Sequence, residues 1–345
     1  MMSTSELNIQ HDVDLSGYTT FGFSQRAEHY VEIKSDDELV SVISYATEMD
    51  WPVLVLGGGS NVVLTQDYKG LVIRLVAQHI RYDPVEQTND VHVSASAGVN
   101  WHTLVRDSTT RNLAGLENLS LIPGSVGAAP VQNIGAYGVE LQDRFVSLKA
   151  LHLPTCQWQE FNTEDCKFTY RDSLFKQCEG EYIITQVTLA LGNSNPLNTS
   201  YSALNEYLLK NHSKSVLTPQ LISDSVCDIR RDKLPDPDLV PNAGSFFHNP
   251  VVTRQQFQLL QEQHADIVGY RQSDDSYKLA AGWLIDKLGY KGYRQNGVGV
   301  HDKQALVLVR YGQSTGNDLL ELADAIQQHV VREFDVRLCI EPRVL

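Results

Sequence analysis

No stretch of the chain approaches the ~18 consecutive apolar residues that a membrane span needs, and Met1 to Ser16 lack the apolar run of a secretory leader. A cytoplasmic protein without a membrane span is expected. Basic residues are in deficit: 28 Lys and Arg stand against 42 Asp and Glu, a formal net charge of −14. No basic run offers the clustered phosphate contacts of a nucleic-acid surface, so no nucleic-acid partner is expected. An anionic ligand must instead be held by backbone N–H nests, helix N-termini and a few fixed cations, because the field of the whole chain repels phosphate. The five cysteines, Cys156, Cys166, Cys178, Cys227 and Cys339, include no C-x-x-C pair. An odd number cannot all pair with one another, which leaves reduced thiols as the simplest state. The chain also lacks H-E-x-x-H, a P-loop and any Cys/His set at zinc spacing, so no metal is expected. The 11 histidines are scattered, and His301 reads as a structural or surface residue.

What is present is a 345-residue chain with 42% hydrophobic and 20% charged residues, enough to build two or three packed domains. Tyr30–Ile33 alternates as a strand. Ser35-Asp36-Asp37-Glu38 then reads as a capping box before a helix whose inner face is Leu39, Val40, Val42, Ile43 and Ala46. Pro52–Leu56 reads as a strand buried on both sides, followed by Gly57-Gly58-Gly59-Ser60-Asn61 and a strand at Val62–Leu64. Strand patterns recur at 71–75, 91–95 and 182–187, with a helix at about 101–112 between them. The polar stretch Gly192–Ser200 reads as a boundary or mobile loop. Thr218-Pro219 opens a helix to about Arg230 that Pro235 ends. Helices near 254–264, 278–288 and 316–334 follow, with a strand at Ala305–Val309. The pattern is α+β.

Three segments carry candidate chemistry. Gly57–Asn61 lacks the third glycine of G-x-G-x-x-G, and a strand rather than a helix follows it, which argues against a Rossmann domain. Its glycines still permit close approach of N–H groups to a pyrophosphate; a plain strand-to-strand turn is the simpler reading of the pentapeptide alone. The segment Leu121–Gly138 is too rich in Gly and Ala for a sturdy helix or strand. It suits a long flat ligand passing bare backbone, with Gln132 and Asn133 as side-chain hydrogen-bond partners. The third segment is Asn242-Ala243-Gly244-Ser245-Phe246-Phe247-His248-Asn249-Pro250. No G-x-S-x-G surrounds Ser245, so a hydrolase elbow is unsupported, and on its own this serine reads as a strand residue.

Taken together, and in order, the motifs resemble the UDP-N-acetylenolpyruvoylglucosamine reductase family over nearly the whole chain. The resemblance rests on Thr20-Phe21-Gly22, the GGGSN turn, Gly115-Leu116-Glu117 with the small-residue segment, and Tyr170-Arg171-Asp172-Ser173. It continues through Lys233-Leu234-Pro235-Asp236-Pro237, the Ser245 segment, Ala280–Ile285 and Gln304–Leu308. The stretch around Tyr201 is similar to the type I branch.

The resemblance implies an FAD-binding fold of the vanillyl-alcohol-oxidase type followed by an α+β substrate domain. The implied boundaries are 1–75 and 76–230 for the two FAD subdomains and 231–334 for the substrate domain, with the tail 335–345 packing near the active site. It also implies that NADPH reduces a non-covalently held FAD, since the flavin-binding segments carry neither His nor Cys for a tether. Hydride then passes from flavin N5 to the enolpyruvyl ether of a UDP-sugar, and Ser245 protonates the neighbouring carbon. Arg171 and Glu341, the latter protonated or acting through water, would stabilise the developing charge.

The implied flavin contacts are Gly57, Gly58, Gly59, Ser60, Asn61, Ile122, Pro123, Gly124, Val131, Ile134, Gly135 and Arg230. Tyr170, Tyr201, Lys233 and Asn249 would contact substrate. Some relatives carry a carboxylate where this chain has Arg343, so the choice of Glu341 depends on an ungapped register, and His248 stands where some relatives have Lys. A monomer is expected. The rival classes are a dioxygen-using flavin oxidase of the same fold and a nucleotide-sugar binding module without turnover.

Overall fold

The computed structural model describes residues 7–192 and 196–345. Part of the expected 192–200 loop and the first six residues lie outside them. The described chain divides into two compact units. The first holds residues as far as Val13, then Ala27–Gly59 and Tyr68–Asp232; the second holds Asp14–Arg26, Ser60–Asp67 and Lys233–Leu345. Residues 14–26 and 60–67 thus group with the C-terminal part, which contiguous sequence segments do not anticipate.

The first unit contains a four-stranded sheet in the order Gln10–Asp14, Arg26–Ile33, Tyr68–Leu75, Val53–Val55, the last three mutually parallel. The parallel connection carries helix Asp36–Glu48, whose Leu39, Val42, Ile43 and Ala46 are buried as expected. Ser35 Oγ accepts the Glu38 N–H at 3.2 Å. The return half of the capping box differs from expectation, because the Glu38 carboxylate takes the Lys34 N–H at 2.7 Å. Val53–Val55 is an edge strand rather than a doubly buried one: Leu54 faces the core while Val55 is 36% exposed. Its hydrophobicity satisfies only one face.

A five-stranded antiparallel sheet follows, in the order Gln157–Asn162, Phe145–His152, Tyr182–Gly192, Asp90–Ser96, Ile80–Pro84. Helix Trp101–Thr110 buries Trp101, Leu104 and Val105 in the same core as Val93, Val187 and Leu189. Two further helices, Ser202–His212 and Pro219–Lys233, share a small core of Leu204, Leu208, Ile222, Val226 and Ile229. The first of these is absent from the sequence reading. Only Leu204 and Leu208 mark its inner face, and Tyr201 at its N-cap makes no capping bond.

The second unit is built on the sheet Asn242–Ser245, Val307–Arg310, Val298–Val300, Arg294–Gln295. Helix Gly316–Phe334 starts with a complete Thr315/Asp318 capping box and buries Leu319, Leu322, Ala323, Ile326, Val330 and Phe334. The helix expected at 278–288 spans only Ala281–Lys287, because Tyr277–Leu279 is taken up as a strand between Val251–Val252 and Gly269–Arg271. At the C-terminus Arg343–Val344 pairs in parallel with Val62–Val63. Among the described residues no helix is long and apolar enough to cross a membrane.

Candidate functional site

In the first unit the two glycine-rich segments meet backbone to backbone. A Cβ on Gly58 would lie 2.8 Å from Gly124 Cα, and one on Gly57 would lie 2.7 Å from Ser125 Oγ. Gly59 turns the chain with φ +60° and Gly124 has φ +118°. Side chains at Gly57 and Gly58 would therefore fill the space where the segments abut.

The start of the Trp101–Thr110 helix grips the second segment at three points. Trp101 Nε1 donates to Leu119 C=O at 3.0 Å, His102 Nδ1 accepts the Leu121 N–H at 2.9 Å, and Trp101 N–H donates to Gly124 C=O at 3.0 Å. Leu121 itself is held at φ +59°. This conformation is unfavourable for a bulky side chain and persists only where surroundings enforce it.

The segment continues through Asn133, where sequence reading put a ligand contact. The side chain is instead fully buried and used within the protein. Its Nδ2 donates to Glu140 Oε2 at 2.8 Å and to Thr169 C=O at 3.1 Å, while Oδ1 accepts the Gln142 N–H at 3.1 Å. These bonds fix the hairpin Gly135–Ala136/Val139–Glu140 against the Tyr170–Arg171 turn. Arg171 stands at φ +57° and donates from Nη2 to Gly135 C=O at 2.7 Å. Its own carbonyl is held by Lys176 Nζ at 2.9 Å, and Ser173 Oγ donates to Val131 C=O at 2.7 Å. Backbone at Val131, Gly135 and Arg171 is thus one braced assembly.

Tyr137, also left-handed at φ +51°, meets Tyr201 edge-on at 5.2 Å. Arg230 lies within electrostatic reach of both Tyr137 and Arg171. Burial holds its guanidinium below the ordinary value, Arg171 pushes the same way and Tyr137 opposes. The Arg230 Nε is buried with no hydrogen-bond partner among the described residues, and the guanidinium has no carboxylate partner there. A buried cation so placed is a standing demand for an acceptor.

In the second unit the strand Asn242–Ser245 is broken by a bulge: Asn242 pairs with Val309, yet Ser245 pairs with Val307. Gly244 carries the bulge at φ +71°, with its N–H donated to Asn242 Oδ1 at 2.8 Å. Asn242 is buried and anchored in turn through Nδ2 to Val240 C=O at 2.8 Å and Pro235 C=O at 3.3 Å. Bulges re-aim side chains. Here the re-aimed side chain is that of Ser245, whose hydroxyl makes no hydrogen bond among the described residues.

The next residues pair with the C-terminal segment. Glu341 N–H donates to Phe246 C=O and His248 N–H to Cys339 C=O, both at 2.9 Å, around the Phe247–Ile340 bridge. The Glu341 carboxylate, only 12% exposed, stands 3.6 Å from His248 Nδ1. Asn249 Oδ1 accepts the Ala281 N–H at 2.9 Å. Lys233 is exposed and has no ion-pair partner among the described residues. Arg343, also exposed, has its backbone N–H on Asn61 C=O at 2.9 Å.

Several expected residues therefore sit together within each unit: the two glycine turns in the first, and Ser245, Asn249 and Glu341 in the second. Sequence reading missed the residues that brace them, namely Trp101, His102, Ser173, Lys176 and Asn242. The one local signal for Trp101 and His102 was their position at the start of a helix preceded by a capping Asn100, whose Oδ1 accepts the Thr103 N–H at 3.0 Å.

Comparison with known proteins follows this division of the chain. A family model described as FAD binding domain matches residues 27–161, and one described as UDP-N-acetylenolpyruvoylglucosamine reductase, C-terminal domain, matches residues 236–345. A UDP-N-acetylenolpyruvoylglucosamine reductase of Pseudomonas fluorescens is 45% identical over 336 residues, covering 97% of this chain and 98% of its own. That of Pseudomonas aeruginosa is 46% identical over 338 residues, covering 98% and 99%. The crystal structure of the Thermus caldophilus reductase superposes with a TM-score of 0.66 at 25% identity, over 97% of this chain and 98% of that one.

Proposed function

The chain belongs to the UDP-N-acetylenolpyruvoylglucosamine reductase family and is an FAD-dependent oxidoreductase of α+β fold; from that premise we propose that it uses NADPH to reduce the enolpyruvyl ether of UDP-N-acetylglucosamine to UDP-N-acetylmuramate, with Ser245 as proton donor. The observation that carries the residue assignment is the unpartnered Ser245 hydroxyl, set on a glycine bulge one strand away from the Glu341 carboxylate. The balance is one NADPH and one proton consumed for each double bond reduced. We further take the protein to act as a cytoplasmic monomer in cell-wall precursor synthesis.

The residues present fit FAD. The glycine cradle at Gly57–Gly58 and Gly124 offers bare backbone where a Cβ would intrude, and Arg230 offers a buried, unsatisfied N–H. Gly57, Gly58, Gly59, Ser60, Asn61, Ile122, Pro123, Gly124, Val131, Ile134, Gly135 and Arg230 would hold the cofactor. Bound FAD would supply two-electron hydride transfer between NADPH and the enolpyruvyl group.

The protein's own part is positioning and charge. Hydride addition to the terminal enolpyruvyl carbon leaves negative charge on the adjacent carbon and its carboxylate. Arg171, braced by Gly135 and Lys176, is the fixed cation for that charge, and Glu341 is the acid that shares it. Ser245 gives its proton to the carbon, a transfer that a weak acid can make to a strong carbon base held in contact. Lys233 would meet the substrate diphosphate, with Tyr170, Tyr201 and Asn249 as the remaining substrate contacts.

Glu341→Gln is expected to slow flavin reoxidation by substrate, whereas Arg343→Met should leave it near the wild-type rate. Glu341 is nearly buried beside the Ser245 segment; Arg343 is exposed. Stopped-flow traces of the two variants check this, and the reverse ranking would move the acid role to the 343 position. The activity itself is tested by mass spectrometry of the product. Supplied with NADPH and the enolpyruvyl substrate, the protein should yield a product heavier by two hydrogens. In D2O the carbon protonated by the solvent-equilibrated Ser245 hydroxyl carries deuterium, and so does the hydride-accepting carbon to the extent that the reduced flavin's N5–H exchanges before transfer. NADPH oxidation that continues at the same rate without the enolpyruvyl compound, feeding dioxygen, would favour the oxidase reading.

A further inference from the structure

The His102 imidazole lies outside the chemistry assigned above, yet both its nitrogens are engaged. Nδ1 accepts the Leu121 N–H at 2.9 Å, and Nε2 lies 3.9 Å from Cys227 Sγ. An acceptor Nδ1 requires the neutral ring with its proton on Nε2, directed at the thiol. The bond falls on the left-handed Leu121, immediately ahead of Ile122, Pro123 and Gly124. With Trp101 holding Leu119 and Gly124, it is the only one of the three grips that a proton can break.

We propose that His102 is a pH-sensitive positioning residue for the cofactor: its neutral imidazole holds Leu121 in the left-handed conformation that aligns Ile122–Gly124, and its protonation releases that turn and weakens FAD binding. The inference rests on the proposed flavin contacts at 122–124.

The groups facing the ring are Arg106 on its own helix and Cys227, Arg230 and Arg231 on helix Pro219–Lys233. Arg106 is in turn paired with Asp224 at 2.5 Å. Burial first, then Arg106, Arg231 and Arg230, pushes the imidazole pKa down, while burial raises that of the Cys227 thiol. Neither partner therefore carries charge at neutral pH. Because the folded pKa is depressed, the contribution of the neutral ring is present above the ordinary imidazole value of about 6.5 and is lost as pH falls through the lowered one. Protonation would also set an N–H on Nδ1 directly against the Leu121 N–H.

The test is the FAD dissociation constant of the full-length apoprotein, measured by fluorescence from pH 5 to 8 for wild type, His102→Phe, His102→Asn and Gly124→Val. Phe fills the ring volume without an acceptor and should weaken FAD about tenfold at pH 8, the effect of orphaning one part-buried backbone N–H. Asn places an oxygen near the position of Nδ1 and cannot titrate. It should bind close to wild type at pH 8 and lose the wild-type weakening at low pH. Wild-type affinity should be flat down to about pH 6.5 and fall only as pH drops through the lowered imidazole value.

A Phe variant that binds FAD as wild type does, while Gly124→Val does not, overturns the role of His102 alone. A Gly124→Val protein of undiminished affinity overturns the flavin contacts and this inference together. If the Phe variant does not fold, the pH profiles of Asn and wild type decide: parallel profiles overturn the proposal, and a flat Asn profile beside a falling wild-type one upholds it.

Discussion

In Ser245→Ala, NADPH should still bleach the flavin at the wild-type rate, while reoxidation by the enolpyruvyl substrate falls about 10²- to 10⁴-fold, the range for loss of a positioned general acid. The substitution removes one oxygen that no described residue hydrogen-bonds, from a strand whose pairing runs through backbone atoms. Its cost to stability should accordingly be small. The bulge at Gly244 and the Asn242 anchor remain, so a slow second half-reaction could not be ascribed to a rearranged strand. Rapid-mixing absorbance at the flavin band separates the two halves. Equal slowing of both would assign Ser245 a structural role and leave the carbon to be protonated by solvent or another residue.

The second large effect is expected at Gly58→Val. A single Cβ there already comes within 2.8 Å of Gly124 Cα and 3.2 Å of Gly124 C, which are backbone atoms without rotamer freedom. The turns must part to admit a side chain, at a cost of about 1–3 kcal/mol for overpacking. Expressed in the cofactor constant, that is about a ten- to hundredfold loss of FAD affinity. The variant should purify pale or colourless, and its apoprotein should still melt cooperatively but a few degrees below wild type, because the overpacking also strains the fold itself. Gly17→Ala serves as the control, since a Cβ at Gly17 meets nothing within 4 Å. A Gly58→Val protein that keeps its flavin through gel filtration would show that the cradle does not bear on the cofactor.

Much of this site was legible in the residues. Three successive glycines and the Gly/Ala-rich 121–138 segment read as bare backbone for a ligand, and the structure shows these two segments closely abutting each other. Helical faces such as Leu39, Val42, Ile43 and Ala46 were legible because their periodicity has one structural solution. What was not legible depends on partners remote in sequence. Val53–Val55 is as hydrophobic as a central strand, and only sheet order makes it an edge.

Asn133 and His102 have the functional groups of ligand contacts, yet Asn133 is consumed by Glu140, Thr169 and Gln142. His102 is spent on Leu121 and Cys227. Likewise the bulge at Gly244, next to the half-buried Ser245, arises from a pairing shift between Val309 and Val307 that no local pattern encodes. Several motifs in the right order could identify the family where the surroundings of Ser245 alone could not.

The most direct single measurement is an anaerobic absorption spectrum of the purified protein, recorded first alone, then after one equivalent of NADPH, then after the enolpyruvyl substrate. An NADPH-fed flavin reductase should show the oxidised flavin bands, lose them with NADPH, and recover them only when the substrate is added. A flavin that NADPH leaves oxidised, or one that stays reduced after the substrate and recovers only with air, would contradict the assignment.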